Sequence, residues 1–127
     1  MEMTKKEFNE AIERHRRWLY GEEDGIPADL SWQSIKWIDL SGANLRGAAI
    51  IRTNLKDSDL SGANLRGTNL KWSNLNGANL RGAKLNGANL NGAYLRKSDL
   101  SGADLREADI VGIDLRGANL NGTILNK

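Results

Sequence analysis

Four tryptophans, one histidine and no cysteine set the chemical means of this 127-residue chain. His15 is the only imidazole, and the chain offers it neither a thiol nor a second histidine from which a nucleophile or a metal site could be assembled. No phosphate-binding loop is present either. These absences predict a protein that is not an enzyme and that takes no metal and no cofactor. The residues that do stand out are Trp32, Arg52 and Trp72, which follow one another at intervals of twenty. An indole, a guanidinium and an indole held one strand spacing apart would stack by cation–π attraction. They would leave a surface both apolar and cationic, suited to contact with another protein. Such stacking needs elements that bring residues twenty apart into register.

A repeat supplies that register. From residue 30 to residue 125 every fifth position is Leu or Ile, a period that fits neither the 3.6 of a helix nor the 2 of a strand. Taking the Leu or Ile as the centre of a unit, the residue two before it is small, as at Ala43, Thr53, Ser58 and Ala63. The residue just before the centre is usually Asn or Asp, and the one two after it is often Gly. In extended backbone, residues two apart share a face, so the centre and the small residue point inward and the Asn or Asp outward. The Gly marks a corner. Pairs such as Asn76-Gly77 and Asn86-Gly87 would suggest hairpins, but only about three residues separate successive corners, too few for hairpin strands. A second period then emerges: DLSGANLRG occupies 39 to 47 and 59 to 67, DLSGADLRE occupies 99 to 107, and Gly recurs at 42, 62, 82, 102 and 122. Four units per coil follow.

The units ADL at 28, ANL at 43, 63, 78, 88 and 118, and ADL at 103 resemble the motif of the pentapeptide-repeat proteins. That resemblance implies an all-β solenoid, a right-handed quadrilateral β-helix with its centres stacked in interior columns. Residues 28–127 would form about five coils, roughly 24 Å of rod at about 4.8 Å per coil, with twenty Leu or Ile side chains inside. Gln33, Ile38 and Ile113 depart from the small inward residue, and all three fall in the first or last coil. The His15, Trp18, Leu19 pattern and the stretch from Gly25 to Leu30 also resemble the segment that precedes such repeats.

Residues 1–27 form the other part. Thr4 and Glu7 make a capping box, and Phe8, Ala11, Ile12, His15 and Leu19 then recur at helical spacing, which predicts one amphipathic helix over residues 4–20. Gly21 ends it, and Gly25-Ile26-Pro27 forms a linker. Stacked repeats leave the first coil's interior open, so this helix is expected to cap the solenoid, with His15 packed at the edge of the contact. The segment is charged throughout and carries no apolar run of signal-peptide or membrane-span length, which, with the absence of cysteine, predicts a cytoplasmic protein without a membrane partner.

Function is then expected on the outward positions. Trp32, Arg52 and Trp72 share a corner, Ile51 and Val111 project on the same side, and Trp37 stands at the next corner beside Asp57, so Trp32, Trp37, Ile51, Arg52 and Trp72 form the candidate protein contact. Lys36, Lys56, Arg96 and Arg116 align on one side and Arg46, Arg66 and Arg106 on another. Acidic neighbours such as Asp104 and Asp114 would offset them, which disfavours nucleic acid as a partner. At the far end Leu115, Leu120, Ile124 and Leu125 close a coil with an unpaired edge, the candidate surface for a homodimer. The expected function is a structural or protein-interaction module. The alternative the resemblance raises, a DNA mimic acting on a type II topoisomerase, asks for an acidic rod, and this one is net basic.

Overall fold

A computed structural model describes residues 3–125. Each five-residue unit uses two residues for a turn and three for a short extended side. The residue just before each centre bridges in parallel to the one twenty further on, from Asp29 with Ala49 through to Asp104 with Ile124. One bridged residue per side makes no strand of its own, so β order exists only down the stack. Between coils, the centre's N–H donates to a carbonyl nineteen residues on, as Leu75 does to Tyr94 at 2.7 Å, and the bridged residue donates back, as Asn54 does to Gln33 at 2.8 Å.

Local chemistry explains the unit. In most turns the centre's carbonyl accepts from the N–H three residues later, as Leu40 does from Ala43 at 3.0 Å. The third turn residue has positive φ, 67° at Gly42 and 65° at Gly62. That geometry belongs to turns that favour Gly at this place. The outward Asn or Asp also has a task that its outward direction alone does not reveal. Its Oδ1 accepts from the N–H at the start of the turn, as in Asp59 with Ser61 at 2.9 Å and Asn89 with Asn91 at 3.0 Å. Where Ala49 stands instead, Ser31 Oγ of the preceding coil accepts from Ile51 at 3.0 Å. Where Tyr94 stands, Asn76 Oδ1 accepts from Arg96 at 2.9 Å.

Every centre from Leu30 to Leu105 is buried, alternating with small inward residues such as Ala63 and Ala83. The expectation of twenty interior centres needs correction. Ile110, Leu120 and Leu125 are exposed and Leu115 is half-buried, because a centre is enclosed only when a further coil lies against it. Ile38 and Ile113 are partly buried against the core, and Gln33 is half-buried.

Helix α1 spans Lys5–Leu19, with Thr4 as its N-cap and both bonds of the capping box formed. It ends in a Schellman motif: Gly21, at φ 68°, donates to Trp18, and Glu22 donates to Arg17. Phe8, Ala11 and Ile12 pack against the core, and α1 runs across the first coil from Ile35 and Ile38 to Ala43 and Leu45. His15 is buried, and its Nδ1 accepts from the Ala28 N–H at 2.9 Å, joining helix to solenoid. The Trp18 ring lies 5.4 Å from the His15 ring and rests on Gly47, where a Cβ would approach to 3.0 Å. No described helix is long and apolar enough to cross a membrane.

Candidate interaction site

Trp32, Arg52 and Trp72 occupy the same corner of successive coils, the place that Gly92 and Gly112 fill further down. All three carry the left-handed backbone of that corner, with φ of 67°, 51° and 56°. For a residue with a side chain this conformation costs about 1 kcal/mol or more. The stacking anticipated from their spacing is formed. The Arg52 guanidinium carbon sits 5.1 Å from the Trp32 ring centre and 4.6 Å from that of Trp72, so the cation is sandwiched between indoles. Lys71 adds a second cation 4.6 Å from Trp72. The stack leaves Trp32 67% and Trp72 43% exposed. Its lower end is seated on Gly92, where a Cβ would come within 2.8 Å of Trp72 Nε1.

The inward hydroxyls near this corner are part of its construction. Thr53 Oγ1 donates to the Leu30 carbonyl at 2.8 Å, in the turn that carries Trp32. Ser73 Oγ donates to the Ile50 carbonyl and accepts from the Thr53 N–H at 3.2 Å, bridging the turn that carries Arg52. Ser58 does the same at 3.3 Å for the turn of Trp37, between the Ile38 N–H and the Ile35 carbonyl. Counted only as small inward residues, these three give no sign of that task in a reading by size. The signal that would have found them is their place, twenty-one residues after a corner that is not Gly, where a hydroxyl replaces the usual Ala.

The candidates differ in what they offer. Ile51, at the start of the turn that carries Arg52, is half-buried. Trp37 stands at the neighbouring corner, 67% exposed, with Lys36 Nζ 4.7 Å from its ring centre and φ 63°. Val111 is exposed further down the same side as Trp32. Tyr94, bridged to Asn74, is an exposed aromatic that the spacing argument passed over; its signal was an aromatic in the place of Asn or Asp. At the far end Leu120, Ile124 and Leu125 are exposed beside half-buried Leu115.

Among the described residues, ion pairing on the rod is confined to its later coils. Asp114 takes both Arg96 at 2.7 Å and Arg116 at 2.8 Å, Asp104 takes Arg106 at 2.6 Å, and Arg81 lies 3.9 Å from Asp99. The Arg106 side chain holds the Asp104 carboxyl well below the usual carboxylate range, with Asn86 assisting. Such exposed pairs contribute little each, and they partner only the arginines of the later coils. Among the described residues the cations of the earlier coils, Lys36, Arg46, Arg52, Lys56, Arg66 and Lys71, enter none of these pairs. Nearby Asp39 and Asp59 are occupied with the N–H groups of Ser41 and Ser61. No group of three or more His, Asp or Glu that could hold a metal ion occurs among the described residues.

Known structures share this architecture. A pentapeptide repeat protein from the thylakoid lumen of Arabidopsis thaliana is 26% identical and superimposes with a TM-score of 0.59 over 75% of this chain, which spans 63% of that protein. A pentapeptide repeat protein from Nostoc PCC 7120 is 26% identical, with a TM-score of 0.38 over 90% of this chain and 93% of its own. HetL, a Nostoc pentapeptide repeat protein involved in heterocyst differentiation regulation, is 29% identical, with a TM-score of 0.34 over 79% of this chain and 56% of its own. No curated protein matches the chain by sequence. The family model of pentapeptide repeats matches in eight copies across residues 38–77, 73–112 and 98–127. With unit, turn and stack all of one kind over that span, the chain belongs to the pentapeptide repeat family of β-helices.

Proposed function

We propose that this chain is a non-catalytic interaction module and that the side bearing Trp32, Arg52 and Trp72 is where it holds a protein partner. In this reading residues 28–127 are a five-coil rod, α1 caps its first coil, and no cofactor or membrane takes part. The observation that supports it most is that bulky side chains hold a left-handed corner conformation that Gly would hold at less cost, and stay exposed. Removal of the aromatic surface should therefore abolish binding without unfolding the rod. Affinity capture with wild type and with a Trp32→Ala, Trp72→Ala double variant, compared by quantitative mass spectrometry, is expected to show partners lost from the variant. Identical partner lists, with unchanged far-UV circular dichroism, dismiss this side as the contact.

A homodimer is a second reading, favoured by the exposure of Leu120, Ile124 and Leu125 on an edge whose N–H and C=O groups meet no further coil among the described residues. Since α1 covers the opposite end, a second copy would join edge to edge about a two-fold axis, a closed assembly. Light scattering after size exclusion should then give twice the monomer mass of 14.0 kDa. A monomer at high concentration sinks the idea. The topoisomerase alternative is not favoured, because the cations on the earlier coils oppose a DNA-like surface.

A further inference from the structure

We propose that Arg52 is a carboxylate receptor, and that the partner docks on this side through an aspartate or glutamate flanked by apolar residues; this rests on the reading of that side as a protein contact. The guanidinium is preorganised, because it is held between the Trp32 and Trp72 rings, its carbon 5.1 and 4.6 Å from their centres. Stacking occupies the faces of a guanidinium and leaves its in-plane N–H donors, which among the described residues form no ion pair. A planar fork of donors with free edges fits a carboxylate, which accepts two parallel N–H bonds.

Charge and burial make the same selection. Lys71 beside Trp72 adds positive potential, and among the described residues no acid of the neighbouring coils forms an ion pair with Arg52 or Lys71. Asp29 and Asp59 accept from Ser31 and Ser61, and Asp57 lies against Gly77 at another corner. Elsewhere on the rod Arg81, Arg96, Arg106 and Arg116 each meet an Asp within the chain. Arg52 meets indoles instead, and unlike the exposed Arg46 and Arg66 it is held between two rings, so an acid from outside would find its donors already in place. The indole edges around it would receive the apolar neighbours of that acid and exclude water from the ion pair, which strengthens it. The turns beneath Trp32 and Arg52 are held by Thr53 and Ser73, so the receptor is rigid before the partner binds.

The test uses the full chain, labelled with nitrogen-15, and follows the indole N–H signals of Trp32 and Trp72 and the Nε–H signal of Arg52. The probes are a blocked pentapeptide with a central glutamate between leucine and phenylalanine, the same peptide with glutamine, and an eight-nucleotide oligothymidylate. The glutamate peptide is expected to shift all three signals and to bind roughly tenfold or more tightly than the glutamine peptide. Arg52→Gln should erase that difference, and Arg52→Lys should restore part of it. The Gly102 amide signal reports that the variants remain folded. Equal binding of the two peptides by wild type overturns the carboxylate receptor while leaving the aromatic side as a peptide contact. Silence of both indole signals with every peptide overturns the receptor and the contact together. A larger response to oligothymidylate than to the glutamate peptide overturns the acidic-peptide assignment in favour of nucleic acid.

Discussion

Leu75→Ala should lower the unfolding free energy by about 2–5 kcal/mol, whereas Leu120→Ala should change it by less than about 1 kcal/mol. Both residues are centres of the same repeat, with the same unit around them. Leu75 has no exposed surface, enclosed by coils on either side, and truncation leaves a cavity that a rod of short, tightly bonded sides cannot collapse to fill. Leu120 is 44% exposed, so truncation removes side chain already in contact with water. Urea titration of the two variants against wild type checks the contrast. Because a small domain is stable by only about 5–15 kcal/mol, a charge at Leu75 should prevent folding altogether. Equal losses at the two positions would mean that the last coil is enclosed in solution, as the homodimer requires. In that case the Leu120 loss should rise with protein concentration.

Gly25→Ala should loosen α1 from the solenoid at a cost of about 1–3 kcal/mol. The reason lies in close approach: an added Cβ would lie 2.6 Å from Trp18 Cα and 2.8 Å from the Arg17 carbonyl carbon. These are backbone atoms, and no change of rotamer relieves them. The same junction carries a pH dependence through His15. Burial pushes the His15 pKa down from its ordinary value, and the Arg46 backbone opposes that shift although Nε2 finds no partner with hydrogen-bond geometry. Nδ1 accepts from Ala28 only when unprotonated. The folded state therefore binds fewer protons than the unfolded one. Its stability is complete above the unfolded value of about 6.5 and is lost as the pH falls toward the lowered native value. Glu7, Asp39, Asp99 and Asp104 are themselves held below their usual values, by Thr4, Ser41, Ser101 and Arg106 respectively, so their contributions are lost only in stronger acid. Helical ellipticity in mild denaturant should fall between pH 7 and pH 5 in wild type. It should stay flat in His15→Gln, whose side-chain oxygen can still accept from Ala28.

Much of the architecture was legible because each unit repeats one solution to one problem. A centre, a small residue and a corner recur, and the recurrence of DLSGANLRG gives the length of a coil without any structure. The capping box and Gly21 likewise placed α1, predicted over residues 4–20 and found at Lys5–Leu19. Less legible was whatever depends on a neighbour twenty residues away whose side chain has an unexpected task. Ser73 reads as a small inward residue until its hydroxyl is seen bridging the turn of Arg52. The spacing of Trp32, Arg52 and Trp72 did anticipate their stack, since the ladder register passes directly to the corners. The exposure of Ile110 and Leu120 could not come from the repeat, in which every centre is equivalent.

The uniform spacing of the inter-coil bonds also governs how the chain reaches this state. Leu40 donates nineteen residues ahead and Asn64 twenty-one residues back, and the same intervals recur along the rod. Each new coil closes a loop of the same length, so each step carries the same loss of chain entropy. Folding should thus advance as a zipper of equal steps rather than through one distant encounter, beginning where α1 gives the first closed loop an apolar surface to condense on. Lengthening such a rod adds steps without making any of them harder. Its folding rate is set by the closure of a single coil, a step of fixed span in a structure whose coils are tied together by bonds about twenty residues apart.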